Sequence, residues 1–440
     1  MTTPKQILNS HSPSPASPSG RDRGPYSAHY AVKRDYSGWI LLLIILVILG
    51  GVALVFAQRA PAQTPEASPR YNVTSLPSLG SVNDGGNSIN DRTWVGGYST
   101  LSDGSARHAS IWRDNQLTDL GTLGGPNSSV AWSVKTTRDL MAGISQTRTV
   151  QPLGEIWSAP VFFSGPFATK YLIHGFVWRP EHGLIPLSTL GHNNNAIAAG
   201  LNNRGLIVGW AENDCHDPNC VPPQVLQFKP VFWDTDNANK IHELPLGFGD
   251  TSGAAIAIND RNQIVGISGI CDQAIGRRTA KHAVLWQDDK IINLGNLGAR
   301  WWNTPTNINR RGDIVGFAGD PAYPNGEILH AFIWTPEAGI RPLGALPNRT
   351  PKHVASQAYG INERRQVVGI SCDADGVDCR GFLWENGVMK DLNDLKQSDY
   401  TGLLERAKDI NDRGEITGRA IVNLTTGQRA AFLAEPVHCN

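Results

Sequence analysis

The sequence lacks an excess of charge of either sign. Its 440 residues include 39 Lys plus Arg and 39 Asp plus Glu, and only 18% of all residues are charged. Beyond residue 57 the balance is 34 basic against 37 acidic residues. Non-specific nucleic-acid binding requires a strong basic excess, because contacts with the phosphates supply most of that affinity. Nucleic acid is therefore not expected as a partner.

Motifs of the common enzyme classes are also missing. The sequence contains no His-Glu-x-x-His pair, no Gly-rich phosphate loop and no dinucleotide-binding fingerprint. Serines that follow Gly-Ile, as in Gly143-Ile-Ser145, stand outside the Gly-x-Ser-x-Gly spacing of a nucleophile elbow. Ser102-Asp103-Gly104 fails the spacing of a sialidase Asp box. The sequence therefore predicts no catalytic residue and no cofactor.

Long hydrophobic runs are absent except for one. Trp39–Ala57 continues for nineteen residues without a charge, and as a helix it would cover roughly 28 Å, close to the thickness of a bilayer core. Five basic residues precede it, and only Arg59 and Arg70 follow closely. The positive-inside rule then predicts a single-pass membrane protein with a cytoplasmic N-terminus and an extracellular or periplasmic C-terminal bulk.

The segments on either side of this run fit that arrangement. Residues 1–38, rich in Ser, Pro and Gly, are predicted to be a disordered cytoplasmic tail, and the Pro-rich residues 58–70 a linker. A cleaved signal peptide is the alternative, since Val55-Phe56-Ala57 resembles a cleavage site. Resistance of the full-length chain to carbonate extraction would indicate the anchor, and a soluble product beginning near Gln58 would indicate cleavage.

Turn-forming residues are abundant, with 46 Gly and 28 Pro, and they accompany an internal repeat. A phrase of the type Ile-Asn-Asp-Arg-x-x-Ile-Val-Gly occurs at Ile89–Gly96, Lys135–Gly143 (degraded), Leu201–Gly209, Ile258–Gly266, Ile308–Gly316, Ile361–Gly369 and Ile410–Gly418. A His-Ala-Phe-x-Trp type follows each copy, at His108–Trp112, His174–Trp178, Pro230–Trp233, His282–Trp286, His330–Trp334, Gly381–Trp384 and Ala430–Ala434. A Leu-Gly phrase closes the first six units, and its seventh copy stands before all of them, at Leu76–Gly80.

Each unit contains the signals of four short strands separated by turns rich in Asn, Asp and Gly. Seven such units predict an all-β domain at 71–434, a seven-bladed β-propeller of four-stranded antiparallel blades, followed by a tail at 435–440. The displaced Leu-Gly phrase predicts that Tyr71–Leu79 supplies the fourth strand of the last blade, whose other strands come from Leu404–Leu433. An open β-solenoid is the alternative, but it would not explain this displacement.

These phrases resemble the bacterial extracellular HAF repeat. His330-Ala331-Phe332 reproduces its triplet, and Leu120–Gly125 reproduces its Leu-Gly-Thr-Leu-Gly-Gly phrase. The resemblance covers residues 71 to 434, and departs from the pattern at Thr136 and in the last repeat, which has neither His nor Trp. It implies an exported repeat domain of unassigned activity, with no catalytic residue to carry over.

The histidines at the head of strand three could suggest a metal site. They are His108, His174, His282 and His330. Equivalent positions on different blades lie too far apart to share one tetrahedral ion. We therefore expect each His to form hydrogen bonds within its own blade, while the Trp of the same strand fills the core between blades.

The cysteines predict disulfides, which exported proteins favour. Cys215 and Cys220 share one loop and Cys372 and Cys379 another, so these are the predicted pairs, with Cys271 and Cys439 unpaired. Zinc binding by Cys215, His216 and Cys220 is an alternative that lacks a fourth ligand.

Three aspartates between the second pair of cysteines form a weak calcium candidate. Asp373, Asp375 and Asp378 alternate around Gly376, but the terminal bidentate Glu of a calcium loop is absent. A solvated acidic turn is the preferred interpretation.

The loops that join strands two and three hold most of the length variation, and variable loops on a rigid scaffold usually carry binding. Polar residues at the head of strand one are predicted to line the same face as a ligand-binding rim: Asn127, Asn194, Thr251, Asn303 and Ser356. We expect a membrane-tethered binding, adhesion or scaffold module for a glycan or protein. An exported propeller hydrolase or lyase is the alternative, and converging carboxylates at the channel mouth would favour it. A purely structural role stays open.

Overall fold

The computed structural model describes residues 70–437 except for 82, 164, 289 and 324–327. The predicted tail, transmembrane helix and all but the last residue of the linker lie outside the described residues, as does Cys439. Within the described part of the chain, no helix is long and apolar enough to cross a membrane.

Twenty-nine strands form the regular structure of the described residues. The first is β1 (Arg70–Ser75). Blade one holds β2 (Gly85–Ile89), β3 (Val95–Thr100), β4 (Arg107–Arg113) and β5 (Gln116–Gly121). Blade two holds β6 (Ser128–Val130), β8 (Met141–Val150), β9 (Tyr171–Arg179) and β10 (Gly183–Pro186), with β7 (Ser133–Val134) between its first two strands. Blade three holds β11 (Ala196–Leu201), β12 (Leu206–His216), β13 (Leu226–Asp234) and β14 (Asn237–Glu243).

The remaining blades follow in the same order. Blade four holds β15 (Ser252–Ile258), β16 (Ile264–Gly269), β17 (His282–Gln287) and β18 (Lys290–Asn293). Blade five holds β19 (Thr304–Ile308), β20 (Ile314–Gly319), β21 (Leu329–Thr335) and β22 (Gly339–Gly344). Blade six holds β23 (His353–Ile361), β24 (Val367–Asp373), β25 (Cys379–Glu385) and β26 (Val388–Asp391), and blade seven β27 (Leu403–Ile410), β28 (Ile416–Asn423) and β29 (Gln428–Val437). Helical turns are short: a π-helical turn at Trp157–Phe162, 3-10 turns at Gly165–Phe167 and Thr279–Lys281, and α1 (Leu392–Leu395).

The first strand of each blade lies innermost. The sheets run from this strand outward in chain order, as in β2-β3-β4-β5, except that β7 pairs in parallel with β11 at the inner edge of blade three and that β1 is the outer strand of blade seven. Inner strands of neighbouring blades contact one another around the ring, and β2 contacts β27. The blades therefore close into the predicted seven-bladed propeller, and the open-solenoid alternative is wrong.

The ring closes through the predicted N-terminal strand. β1 pairs antiparallel with β29, so that Tyr71 lies opposite Pro436 and Val73 opposite Ala434. Tyr71 and Val73 are buried, whereas Asn72 and Thr74 are exposed. The closing role of this segment is confirmed, although the strand ends at Ser75 and not at the predicted Leu79. Because β29 continues to Val437, part of the predicted tail at 435–440 is strand.

The Ile-Asn turns fasten each blade to the next. The Asn309 side-chain oxygen accepts hydrogen bonds from the backbone N–H groups of Arg311 and Asp313, and its amide donates to the backbone carbonyl of Asn362 on the next blade. The same donation to the next blade is made by Asn90, Asn202, Asn259, Asn362 and Asn411. Thr136 stands at this position in blade two and has no amide to donate.

The strand-three tryptophans fill the space between blades, as predicted. Trp112 and Trp233 are fully buried. The indole N–H groups of Trp112, Trp233 and Trp286 donate to the backbone carbonyls of Pro77, Ser188 and Pro245, which belong to neighbouring segments. Each Trp thus contributes a large apolar area and still satisfies its polar atom.

Candidate functional site

One predicted disulfide is wrong. Cys372 and Cys379 are bonded as predicted, but Cys220 is bonded to Cys271, and Cys215 is free and exposed. Cys215 lies in the extended end of β12, whereas Cys220 and Cys271 lie in the two-to-three loops of adjacent blades, with Cα atoms 4.5 Å apart. The bond therefore joins two blades on the loop-rich face. It also removes Cys220 from the alternative zinc set.

Three of the four strand-three histidines bind carboxylates. His108 contacts Asp119 at 2.9 Å within blade one, and His282 contacts Asp250 at 2.7 Å. His330 contacts Asp320 at 2.7 Å within blade five. The Nε2 atom of His174 is buried without a hydrogen-bond partner, and burial lowers the pKa of this imidazole.

The five predicted rim residues make separate local contacts in the structure. Asn127 is fully buried, where it donates to Gln146 and Phe167. The other four differ in their contacts: Asn194 donates to Asp214, Asn303 donates to the carbonyl of Lys281, Ser356 donates to the carbonyl of Gly344, and the Thr251 hydroxyl is buried without a partner. Most of these polar groups are thus engaged within and between blades.

The weak calcium candidate is not assembled. Asp373 accepts from the Val377 N–H, and Asp378 binds Arg380 at 2.7 Å, while Asp375 is exposed. Among the described residues, one group of metal-ligand atoms lies close together, in Asp217, Cys220 and Cys271, but its two sulfurs form the disulfide. The three aspartates therefore form a turn stabilised by its own hydrogen bonds.

A recurring β-bulge in strand one determines which side chain faces the central channel. The register of strands one and two shifts at the same place in every blade except blade two, which leaves one residue of strand one unpaired: Asn87, Ala199, Ile256, Thr306, Tyr359 and Lys408. In blade two the inner strand is interrupted between β6 and β7, and Trp132 occupies the gap. Bulges re-aim side chains, and they are frequent next to functional sites.

Blades seven, one and two enclose a cavity of about 170 Å³ at the loop-rich mouth of the channel. Its charged lining consists of Arg107, Arg406, Lys408 and Arg419. None of the described residues that line it is an Asp or a Glu. Four basic side chains therefore face one space whose described lining contains no acidic partner.

The arrangement of these basic side chains destabilises the folded protein, so stability does not explain it. Arg406 and Arg419 lie directly opposite each other on β27 and β28, and like charges at paired positions destabilise a sheet. Glu405 binds Arg419 at 3.2 Å but also Arg429 at 3.3 Å. The Nε atoms of Arg406 and Arg107 are buried without a hydrogen-bond partner. Unpaired buried donors of this kind cost free energy, and an anionic ligand would satisfy them.

Arg107 and Lys408 are basic groups in partly buried positions. Arg107 lies over the rings of Tyr98 and Phe163, at 4.3 and 4.8 Å, and donates to the carbonyl of Phe162. Burial lowers the pKa of Arg107. Burial, followed by the charges of Arg406 and Arg419, holds the pKa of Lys408 well below its usual range.

Aromatic and aliphatic side chains form the opposite wall. Trp132 and Phe162 line the cavity with ring centroids 5.6 Å apart, and Val161 is partly exposed beside them. Flat rings next to cations offer a surface on which a sugar ring can pack while its acidic group is neutralised.

Two buried carboxyl groups hold this wall in place. The Trp157 indole N–H donates to Glu212, and Gln224 donates to both Glu212 and Glu155, at 2.8 and 3.1 Å. Burial, and next the charge of Glu155, raise the pKa of Glu212 to about 8, although Gln224 and Asn195 oppose the shift. The π-helical turn that ends at Phe162 is thus anchored on blade three.

Carboxylates converge at the other mouth, which is formed by the Ile-Asn turns. A cavity of about 60 Å³ there is lined by Asp91, Asp260, Glu363 and Asp412 together with Lys135 and Arg310. Each of these four carboxylates accepts a backbone N–H from the neighbouring blade, Arg310 binds Asp412, and Lys135 binds the buried Asp409. These groups join blades, and they are already neutralised or hydrogen-bonded.

The cationic residues were missed because they stand where the repeat varies. The position two residues before the Ile of each Ile-Asn turn is occupied by Asn, Ser, Ala, Ile, Thr, Tyr and Lys in the seven copies. Arg419 stands where three other blades have the Ile of Gly-Ile-Ser. A comparison of the repeats for their differences would identify Lys408 and Arg419, although not the bulge that turns Lys408 toward the channel.

The chain matches no protein-family model, and no curated protein matches it significantly. Among solved structures it is similar to the β-propeller domain of the Trilobed protease from Pyrococcus furiosus (11% identity, TM-score 0.46, 84% of this chain and 98% of that chain). It is also similar to a streptogramin B lyase (8% identity, TM-score 0.46, 84% and 98%) and to a puromycin hydrolase (11% identity, TM-score 0.46, 80% and 53%). At such identities the likeness concerns the propeller architecture, and says nothing of a ligand or reaction.

Proposed function

We propose that the protein is a membrane-tethered, extracytoplasmic binding module that takes an acidic glycan in the cationic cavity. The observation that carries the proposal is the meeting of Arg107, Arg406, Lys408 and Arg419 around one space whose described lining has no carboxylate. Trp132 and Phe162 complete the cavity with the flat apolar surface that a sugar requires. The tether rests on the Trp39–Ala57 run, and it stays a prediction.

The Arg406–Arg419 pair provides a test that separates binding from structure. We expect Arg406→Gln to weaken the binding of an oligogalacturonate by about tenfold or more, because a hydrogen bond with a charged partner is worth about 1.5–3 kcal/mol. The same change removes a like-charge repulsion, so the melting temperature should stay the same or rise.

Binding is measured by calorimetry with the full-length chain in detergent. Arg341→Gln, an exposed arginine of blade five, is the matched control and should bind as the wild type does. A neutral oligosaccharide of equal length should bind much more weakly than the acidic one. Equal affinity for the two glycans, or equal losses in the two variants, would overturn the proposal.

A further inference from the structure

The cavity contains a residue whose position suits chemistry beyond binding. We propose that Lys408 is a proton-accepting base, and that the protein cleaves acidic glycans at a uronate by β-elimination. This inference rests on the proposed function, since it needs the same cavity to bind the uronate carboxylate. It adds a reaction, a substrate class and a residue role.

Lys408 is placed for this role by the bulge of β27. As the unpaired residue between Ala407 and Asp409, it turns toward the channel and lines the cavity. Its amine forms no hydrogen bond or ion pair with another described residue, and the ring of Tyr359 lies 4.2 Å from it. Lys408 is partly exposed, and its amine faces the space that the ligand would occupy.

The groups around Lys408 favour its neutral form. Arg406 on the same strand and Arg419 on β28 are positive, and together with burial they lower the pKa of Lys408. The Tyr359 ring favours the ammonium, and Glu405 is held by Arg419 and Arg429. The segment of β2 that lines the cavity, Gly85–Asn87, carries no titratable side chain. A base is most effective when its pKa lies near the working pH, which an ordinary lysine does not achieve.

The arginines complete the chemistry. Neutralisation of the uronate carboxylate by Arg406 and Arg419 makes the hydrogen on C5 more acidic, and the Lys408 amine accepts that proton. The electrons of the C5–H bond form a C4=C5 double bond, the C4–O bond breaks, and the departing oxygen takes a proton from the Tyr98 hydroxyl, which lines the same cavity. Lys408 then returns its proton to Tyr98 through solvent. No oxidant, metal or water is consumed.

The test uses the full-length protein with galacturonate, mannuronate and glucuronate oligosaccharides. Elimination yields an unsaturated uronate, seen by its ultraviolet absorbance, and two products whose masses add up to that of the substrate. Hydrolysis would add one water to that sum. We expect unsaturated product from at least one of these glycans, at a rate that rises with pH as Lys408 loses its proton.

Lys408→Arg tests the role of the residue, because arginine keeps the charge but does not release its proton. We expect binding to be retained and kcat to fall by about 10²-fold or more, the usual contribution of a general base. Lys352→Arg, at an exposed position, is the matched control.

The outcomes separate the two proposals. Binding without unsaturated product from any of the three glycans would overturn the lyase inference and leave the binding module standing. Absence of binding to all three would overturn both. Retention of full activity in Lys408→Arg would show that Lys408 is not the base.

Discussion

At the scale of single residues, the Asn of each Ile-Asn turn explains why the phrase repeats. Asn309 is almost fully buried, and it both caps its own turn and donates to the next blade. Asp could accept the turn hydrogen bonds but could not donate. Blade two has Thr136 at this position, so the ring closes with six of the seven possible Asn side-chain hydrogen bonds between blades. The repeated Asn therefore serves to join neighbouring blades.

Replacing Asn309 by Ala should destabilise the domain. The backbone N–H of Asp313 and the carbonyl of Asn362 would lose buried partners, which costs about 1–3 kcal/mol per unsatisfied group. The N–H of Arg311 would lose a partly buried one. Urea denaturation should show a lower midpoint than for Asn237→Ala, an exposed asparagine that begins β14. If the two variants unfold at the same midpoint, the Asn309 side-chain hydrogen bonds contribute nothing to stability.

The cysteines show how far residue spacing can mislead. Cys215 and Cys220 are close in sequence, which favoured pairing them, but the extended β12 strand carries Cys215 away from the turn. Cys220 and Cys271 are 51 residues apart and still adjacent. Both lie in two-to-three loops of consecutive blades, so the predicted topology already placed them on one face. The error came from preferring the local pair over the repeat geometry.

At the scale of strands, most of the fold could be predicted from the sequence repeat, whereas the candidate site could not. Apolar alternation and turn residues predicted four strands in each blade and the closing role of Tyr71–Leu79. The bulge at Lys408 and the interruption at Trp132 could not be predicted, because side-chain alternation describes a strand in perfect register. Two residues of the candidate site, Lys408 and Trp132, owe their positions to these irregularities.

The clasp strand offers a test with an internal control. Tyr71 points into the core between blades six and seven, and Asn72 next to it points to solvent. Tyr71→Ala should lower the free energy of unfolding by about 3–5 kcal/mol, as large aromatic truncations in a core do, while Asn72→Ala should leave it nearly unchanged. Thermal melts of the two variants compare them directly, and coinciding melts would mean that β1 does not hold the ring closed.

At the scale of the whole molecule, charge is divided between the two mouths of the channel. The loop-rich mouth holds a cavity whose described lining is basic and has no carboxylate, whereas the carboxylates of the opposite mouth are bound to backbone N–H groups or to Arg310. Overall composition conceals this division, because the net charge is zero. Only the order of the blades around the ring brings Arg107 next to Arg419.

The Glu155–Glu212 pair couples the cavity wall to blade three, and its proton makes the stability of the fold depend on pH. In the folded protein Glu212 keeps its proton until about pH 8, whereas in the unfolded chain it loses it near its ordinary value of 4.5. Between these values the folded state binds more protons than the unfolded state. The free energy of unfolding should therefore fall as pH rises through this window and level off above it.

Glu212→Gln cannot titrate, so this variant should lose that part of the pH dependence. We expect the wild-type melting temperature to decline between about pH 5 and pH 8, and the decline to be clearly shallower in the variant, whatever its stability at any one pH. Glu181→Gln, an exposed carboxylate on blade two, should keep the wild-type slope. Because the slope is compared and not the absolute stability, a loss of the hydrogen bond from Trp157 in the variant does not disturb the test. A Glu212→Gln protein that declines as steeply as the wild type would show that Glu212 is ionised in the folded state throughout this range.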